Sequence, residues 1–151
     1  MDLSASDGLI GFDRHTGKQL WKVDARHSFL HNGIVAGKGR VYCLDKLPKP
    51  VEERLERRGR DTPKTYRILA LDIRTGEPVW QYSDAIFGTW LSYSVEHDLL
   101  LQAGASGSDR LRSEVGDGMA VHYAANGRIK WQDNKRSYSG PCILHLSLIH
   151  I

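Results

Sequence analysis

"DRHTGKQLW" (Asp13–Trp21) and "DIRTGEPVW" (Asp72–Trp80) are two copies of one phrase, Asp-x-x-Thr-Gly-x-x-x-Trp, within a chain of 151 residues. A third, degraded copy is "YAANGRIKW" (Tyr123–Trp131), with Gly127 again four residues before the tryptophan, Tyr123 in the aspartate position and Asn126 in the threonine position. A fixed internal period is read before any single strand, because repetition decides the architecture. The interval from Trp80 to Trp131 is shorter than that from Trp21 to Trp80, and the difference is the charged segment "PKPVEERLERRGRDTPKTY" (Pro48–Tyr66).

Each copy reads as the turn of a hairpin. In "ILALDIRTGEPVW" apolar residues alternate into Asp72, whose carboxylate can accept nearby backbone N–H groups while Gly76 takes a positive φ; a second strand then carries Trp80. Upstream, "GIVAGKGRVYCLD" predicts two more strands joined at Gly37-Lys38-Gly39. The same order returns as "TWLSYSVEHDLLLQAG" and "GMAVHYAANGRIKW". Four short antiparallel strands per unit of roughly fifty residues predict propeller blades, not a helical solenoid. The expected fold is therefore all-β, a partial β-propeller. It holds the outer half of one blade (about residues 8–25), two complete blades (27–84 and 87–135) and the first strand of another (138–145).

Insertions at about 48–66 and 104–118 occupy the same place in successive blades, between the second and third strands. In the first, "VEERLERRG" predicts a short helix with Val51 and Leu55 on one face, an i,i+4 pair of Glu53 and Arg57, and Gly59 at its end. A solvated helix is the simplest reading, and a surface for a partner is the alternative.

The pattern at Asp13, Thr16, Gly17 and Trp21, repeated at Asp72, Thr75, Gly76 and Trp80 and partly at Gly127 and Trp131, resembles the repeat of the pyrroloquinoline quinone (PQQ)-like β-propellers. That family includes quinoprotein dehydrogenases and a non-catalytic outer-membrane assembly lipoprotein. The likeness runs from about Gly8 to His145. It implies that the tryptophans dock neighbouring blades, that the loops feeding the inner strands form a channel mouth where a quinone binds, and that the protein is periplasmic or otherwise extracytoplasmic. A closed propeller has about four to eight blades, so the expectation is a fragment of a longer bacterial protein whose missing blades cover the open edges. The ending "LSLIHI" (residues 146–151) resembles sequencing-adapter read-through and is left out of the expected fold.

Composition narrows the function classes. The chain is 40% apolar and 26% charged, the balance of a soluble globular protein. No stretch approaches eighteen consecutive apolar residues, and the start lacks the basic and apolar regions of a secretory signal. A net charge of +3 spread along the chain argues against a nucleic-acid surface. Cys43 and Cys142 fit no metal-ligand spacing and read as small buried hydrophobes.

Ten residues beyond each blade tryptophan lie His31, Trp90 and Pro141, at the start of the innermost strand of the following blade. A small ligand or a protein partner could be held there by stacking on Trp90 and by hydrogen bonds from His31, Asn32, Thr89, Tyr138 and Ser139. The competing reading is that these residues satisfy backbone groups and pack adjacent blades. His27 and His31 would share a metal on a helix, but in a strand four residues span about 13 Å, so no metal site is expected. The glycine-rich stretch 104–118 lacks the ending of a phosphate loop, and neither a G-x-S-x-G elbow nor a C-x-x-C-H haem sequence occurs.

Three functions follow. The favoured one is a non-catalytic propeller acting as a binding or scaffold module, with no cofactor evident. The second is part of a quinoprotein oxidoreductase, for which the resemblance implies PQQ, calcium, a cysteine pair and a catalytic aspartate in the full-length protein; no adjacent cysteines occur here, and Asp13 and Asp72 are turn residues. The third, a WD-type interaction propeller, is disfavoured because the blades end in T-G-x-x-x-W and not in a W-D pair.

Overall fold

The computed structural model describes residues 4–104, 116–134, 143–145 and 148–150, the last two stretches as backbone only. Strands β1 (Ala5–Phe12), β2 (Gln19–Gly37), β3 (Arg40–Asp45), β4 (Arg67–Asp72) and β5 (Pro78–Tyr82) form one sheet in that order. A second sheet holds β6 (Trp90–Ser94), β7 (Leu99–Ala103), β8 (Met119–Tyr123) and β9 (Ile129–Asp133), again in chain order. All neighbouring pairs are antiparallel. The architecture is thus all-β, two open sheets in meander order, as a partial propeller requires. The helix α1 (Lys49–Arg57) lies in the connection from β3 to β4, with proline in its first turn, and Gly59 (φ +64°) follows its end.

The three repeated turns share one pair of backbone bonds. Asp13, Asp72 and Tyr123 each donate an N–H to the residue five positions on, and each accepts from the glycine four positions on. Two copies add the aspartate's own caps: Asp13 Oδ1 accepts from the N–H of His15 and Thr16, and Asp72 Oδ1 from those of Arg74 and Thr75. These bonds hold both exposed carboxyls below the usual carboxylate range, the Thr16 N–H acting most on Asp13 and the Arg74 N–H on Asp72. Tyr123 has no such side chain, yet Asn126 Oδ1 accepts from Arg128 N–H at 3.0 Å, as Thr75 Oγ1 accepts from Glu77 N–H at 3.2 Å.

Three apolar clusters alternate with the sheets. One joins Trp21 and Phe29 to Val41, Cys43, Leu69 and Leu71 of the first blade. The next brings Tyr42, Leu44, Ile68 and Ala70 against Leu91, Leu100 and Ala124 of the second blade. A third, of Trp90, Leu101, Ala103, Met119 and Val121, covers the far face of the second blade. Burial on both faces explains the near-continuous apolar runs of β3, β4, β7 and β8. Cys43 is wholly buried, and burial pushes its thiol up to about 12, so it serves as an inert hydrophobe; Cys142 lies outside the described residues.

Two boundaries differ from the sequence reading. The break placed at residues 25–27 falls inside β2, which runs unbroken from the outer edge of the leading hairpin into the inner strand of the first blade. Its register against β1 jumps between Ser6↔Phe29 and Gly8↔Asp24, so an irregularity absorbs the change of blade without ending the strand. At the C-terminal end, β10 (Ile143–His145) pairs with β11 (Leu148–His150), so part of the excluded tail is in strand.

Candidate functional site

Meander order gives each sheet two unlike ends. At one end sit the short turns: Gly37–Arg40, Val95–Asp98, and the repeated turns at Asp72 and Tyr123. At the other end the chain crosses between blades, at residues 25–33 and 83–89, and both insertions leave from it.

Buried polar side chains organise this crossover end. Asp45 closes β3 with no exposed surface, and its carboxylate accepts from the backbone N–H groups of Arg26 (2.9 Å), His27 (2.8 Å) and Ser28 (3.2 Å) and from Arg67 Nε (2.8 Å). In the second blade the same task falls to Gln102 of β7. Its Oε1 accepts from Phe87 N–H (2.9 Å) and Gly88 N–H (3.0 Å), and its Nε2 lies 3.2 Å from His122 Nε2. His122 Nδ1 is 2.8 Å from the Gly127 carbonyl, which can only accept; the ring proton therefore sits on Nδ1, and Nε2 accepts from the Gln102 amide. Burial keeps His122 below its ordinary value, partly offset by the Gly127 carbonyl.

The first insertion is fastened to this end. The Tyr66 hydroxyl donates to Glu52 of α1, Lys46 Nζ lies 3.7 Å from the same carboxylate and 5.1 Å from the Tyr66 ring, and His27 meets that ring edge-on at 5.4 Å. Tyr66 is pushed upward by burial and by Glu52, and Lys46 downward by burial against the pull of Glu52.

Between blades, tryptophans act as bolts. Trp21 Nε1 donates to the Ile73 carbonyl and Trp80 Nε1 to the Ala124 carbonyl, each at 2.9 Å. Their rings lie on Gly76 and Gly127, where a Cβ would come within 2.7 Å and 2.5 Å of the indole. Glycine is required there twice over, since both residues also have positive φ, +71° and +76°. Arg40 Nη1 adds a second donor to the Ala124 carbonyl at 3.0 Å. Trp131 pairs with Val121 and is 47% exposed.

Of the four described ligand candidates, two are exposed and two are buried. His31 and Asn32 are exposed on β2, with His31 Nε2 2.7 Å from Ser6 Oγ and its N–H donating to the Ser4 carbonyl. Thr89 and Trp90 are buried, 5% and 8% exposed, and Thr89 N–H donates to the Ala103 carbonyl. The Trp90 ring packs among Leu101, Ala103, Met119 and Val121, so its faces are not a stacking platform; its indole N–H is buried without a hydrogen-bond partner among the described residues. Tyr138 and Ser139 lie outside the described residues. His27 and His31 sit on one extended strand, and among the described residues no group of three His, Cys, Asp or Glu could hold a metal ion. Among the described candidates the ring expected to stack, Trp90, is covered, and the buried carboxylate beside the crossover is spent on three N–H groups and Arg67.

The anchors Asp45, Gln102 and His122 were missed by sequence reasoning. Their signal was a polar residue that closes or interrupts an apolar run, Asp45 after "VYCL", Gln102 in "LLLQA" and His122 in "MAVHY".

Comparison with known proteins places the chain. Residues 3–137 match the family model described as outer membrane protein assembly factor BamB. Among solved structures, a europium-containing methanol dehydrogenase aligns over 85% of this chain and 29% of its own, at 17% identity and TM-score 0.54. A quinohemoprotein alcohol dehydrogenase, ADHIIG from Pseudomonas putida HK5, aligns over 85% of this chain and 24% of its own, at 17% identity and TM-score 0.56. The chain therefore spans less than a third of the length of either structure, and at this identity the likeness shows the fold. No curated protein sequence matches it.

Proposed function

The chain belongs to the PQQ-like propeller family described as outer membrane protein assembly factor BamB, and from that premise we propose that it acts as a non-catalytic binding or scaffold module outside the cytoplasm. The observation that carries this reading is the asymmetry of the two sheet ends. The turn end is built from tight hairpins, whereas both insertions leave from the crossover end, and one of them is a helix tied down by Glu52, Tyr66 and Lys46. In repeat architectures per-repeat insertions gather on one face, often the binding face. A protein partner or small ligand is recognised at this end, the channel mouth, and further blades of the same polypeptide cover the open edges. Among the described residues no helix is long and apolar enough to cross a membrane.

The alternative, part of a PQQ- and calcium-dependent oxidoreductase, draws on the likeness to the two dehydrogenase structures, which is a likeness of fold. Calorimetric titration of the full-length protein with PQQ and calcium separates the two. No heat is expected at micromolar concentrations, and a saturable heat would overturn the non-catalytic reading. Replacing residues 48–66 by a short turn is expected to leave the far-UV circular dichroism of the full-length protein intact and to abolish site-specific cross-linking at the crossover end. Retained cross-links would mean that the partner contacts this end without the insertion.

A further inference from the structure

The turn end of the first blade carries a feature that the proposed scaffold role does not use. Lys38, Arg40, Asp72, Ile73, Arg74 and Val79 line an open cleft of about 450 Å³, within the size range of small-molecule sites, roughly 300–1,000 Å³. We propose that this cleft binds a small ligand bearing a phosphate-type anion on an apolar arm.

Charge comes first. Three cationic side chains line the cleft, and the Asp72 carboxylate is turned into its own turn by the N–H groups of Arg74 and Thr75 at 2.8 and 3.0 Å. Arg40 is held in place, because its Nη1 donates to the Ala124 carbonyl of the second blade at 3.0 Å. A guanidinium fixed in this way presents planar donors suited to an oxyanion. Lys38 Nζ pairs loosely with Asp98 at 3.8 Å while its side chain stays 48% exposed, and Asp98 also accepts from the Tyr93 hydroxyl at 2.5 Å.

Backbone is the second observation. Lys38 and Gly39 are the central residues of a two-residue hairpin turn, with φ of +46° and +75°. Such turns favour glycine or asparagine at both positions, so a lysine in the left-handed region is strained. Strain of this kind points to a role for the side chain, here an amine set at the lip of the cleft. Ile73 and Val79, 40% and 47% exposed, supply an apolar wall beside the charges.

The test titrates phenyl phosphate into the full-length protein, with inorganic phosphate and phenol as separate arms. Saturable binding of phenyl phosphate is expected, tighter than inorganic phosphate, weakened by salt, and about tenfold weaker in Arg74→Gln and in Lys38→Gly. Glycine suits the positive φ at position 38, so the Tm of Lys38→Gly is expected to hold or rise, which separates lost binding from lost fold. Absence of saturable binding at millimolar phenyl phosphate, or equal binding by both variants and the parent, overturns the proposal. A failure here leaves the scaffold reading untouched, since that reading rests on the opposite end of the sheets.

Discussion

In the first blade the incoming crossover is held by a carboxylate, Asp45, neutralised by Arg67; in the second it is held by a carboxamide, Gln102, steadied by His122. Both groups are fully buried near the end of the second strand and both accept backbone N–H groups of the segment entering the blade. The geometry of the crossover is therefore what the fold demands, and the charge of the anchor is free to vary. Charge nevertheless changes how each blade fails. A charged anchor is costly to leave half-made, while a neutral one that leans on a histidine becomes sensitive to mild acid.

The largest effect separates anchors by charge. Asp45→Ala strips the acceptor from three N–H groups and leaves Arg67 without its carboxylate, and the expected loss in urea unfolding is about 3–5 kcal/mol. Gln102→Ala removes two acceptor bonds and the amide's bonds to His122 and the Ala85 carbonyl but no charge, for an expected loss of roughly 1–3 kcal/mol. Equal losses would mean that the ion pair adds nothing beyond its hydrogen bonds. The tryptophans sharpen the comparison at the blade interfaces. Trp80→Ala is expected to cost about 3–5 kcal/mol, whereas half-exposed Trp131→Ala within the same 151-residue chain stays near the ±0.5 kcal/mol of surface changes.

Acid should weaken the second blade first. Burial keeps His122 neutral in the folded protein at pH values where an unfolded histidine has taken its proton. The unfolded state then binds more protons, so the contribution is intact above the ordinary histidine value of 6.5 and is lost as pH falls below it toward the folded pKa. Urea unfolding between pH 7 and 5.5 should show a fall in stability that His122→Gln abolishes. Asp13 and Asp72, held below the ordinary carboxyl value of 3.8, act only in stronger acid and do not blur this window. A small gain restores the degraded turn: Tyr123→Asp returns the missing acceptor and is expected to stabilise by about 0.5–1 kcal/mol in thermal unfolding.

The blades and their turns were legible because their causes are local. Asp72, Thr75 and Gly76 make their bonds within five residues, and period-two alternation marks the strands without reference to anything distant. The crossover anchors were not legible, because Asp45 and Gln102 act on chain 14 to 19 positions away and nothing nearby announces it. The place of Trp90 at the start of an inner strand predicts a stacking platform, but its ring lies in the cluster with Met119 and Val121. The continuity of β2 was hidden for a similar reason, since Ala5 and Ser6 extend the ladder across the crossover by pairing with Leu30 and Phe29.

The tryptophan bolts have a consequence for heredity. Each blade offers a glycine socket at its own turn and carries a tryptophan plug for its neighbour, as Gly76 receives Trp21 while Trp80 seats on Gly127. A gene segment spanning one crossover to the next encodes one plug and one socket, whatever insertion it also carries. Duplicating or deleting such a segment leaves every remaining plug facing a socket, so a ring of this kind can change its number of repeats without inventing a new interface.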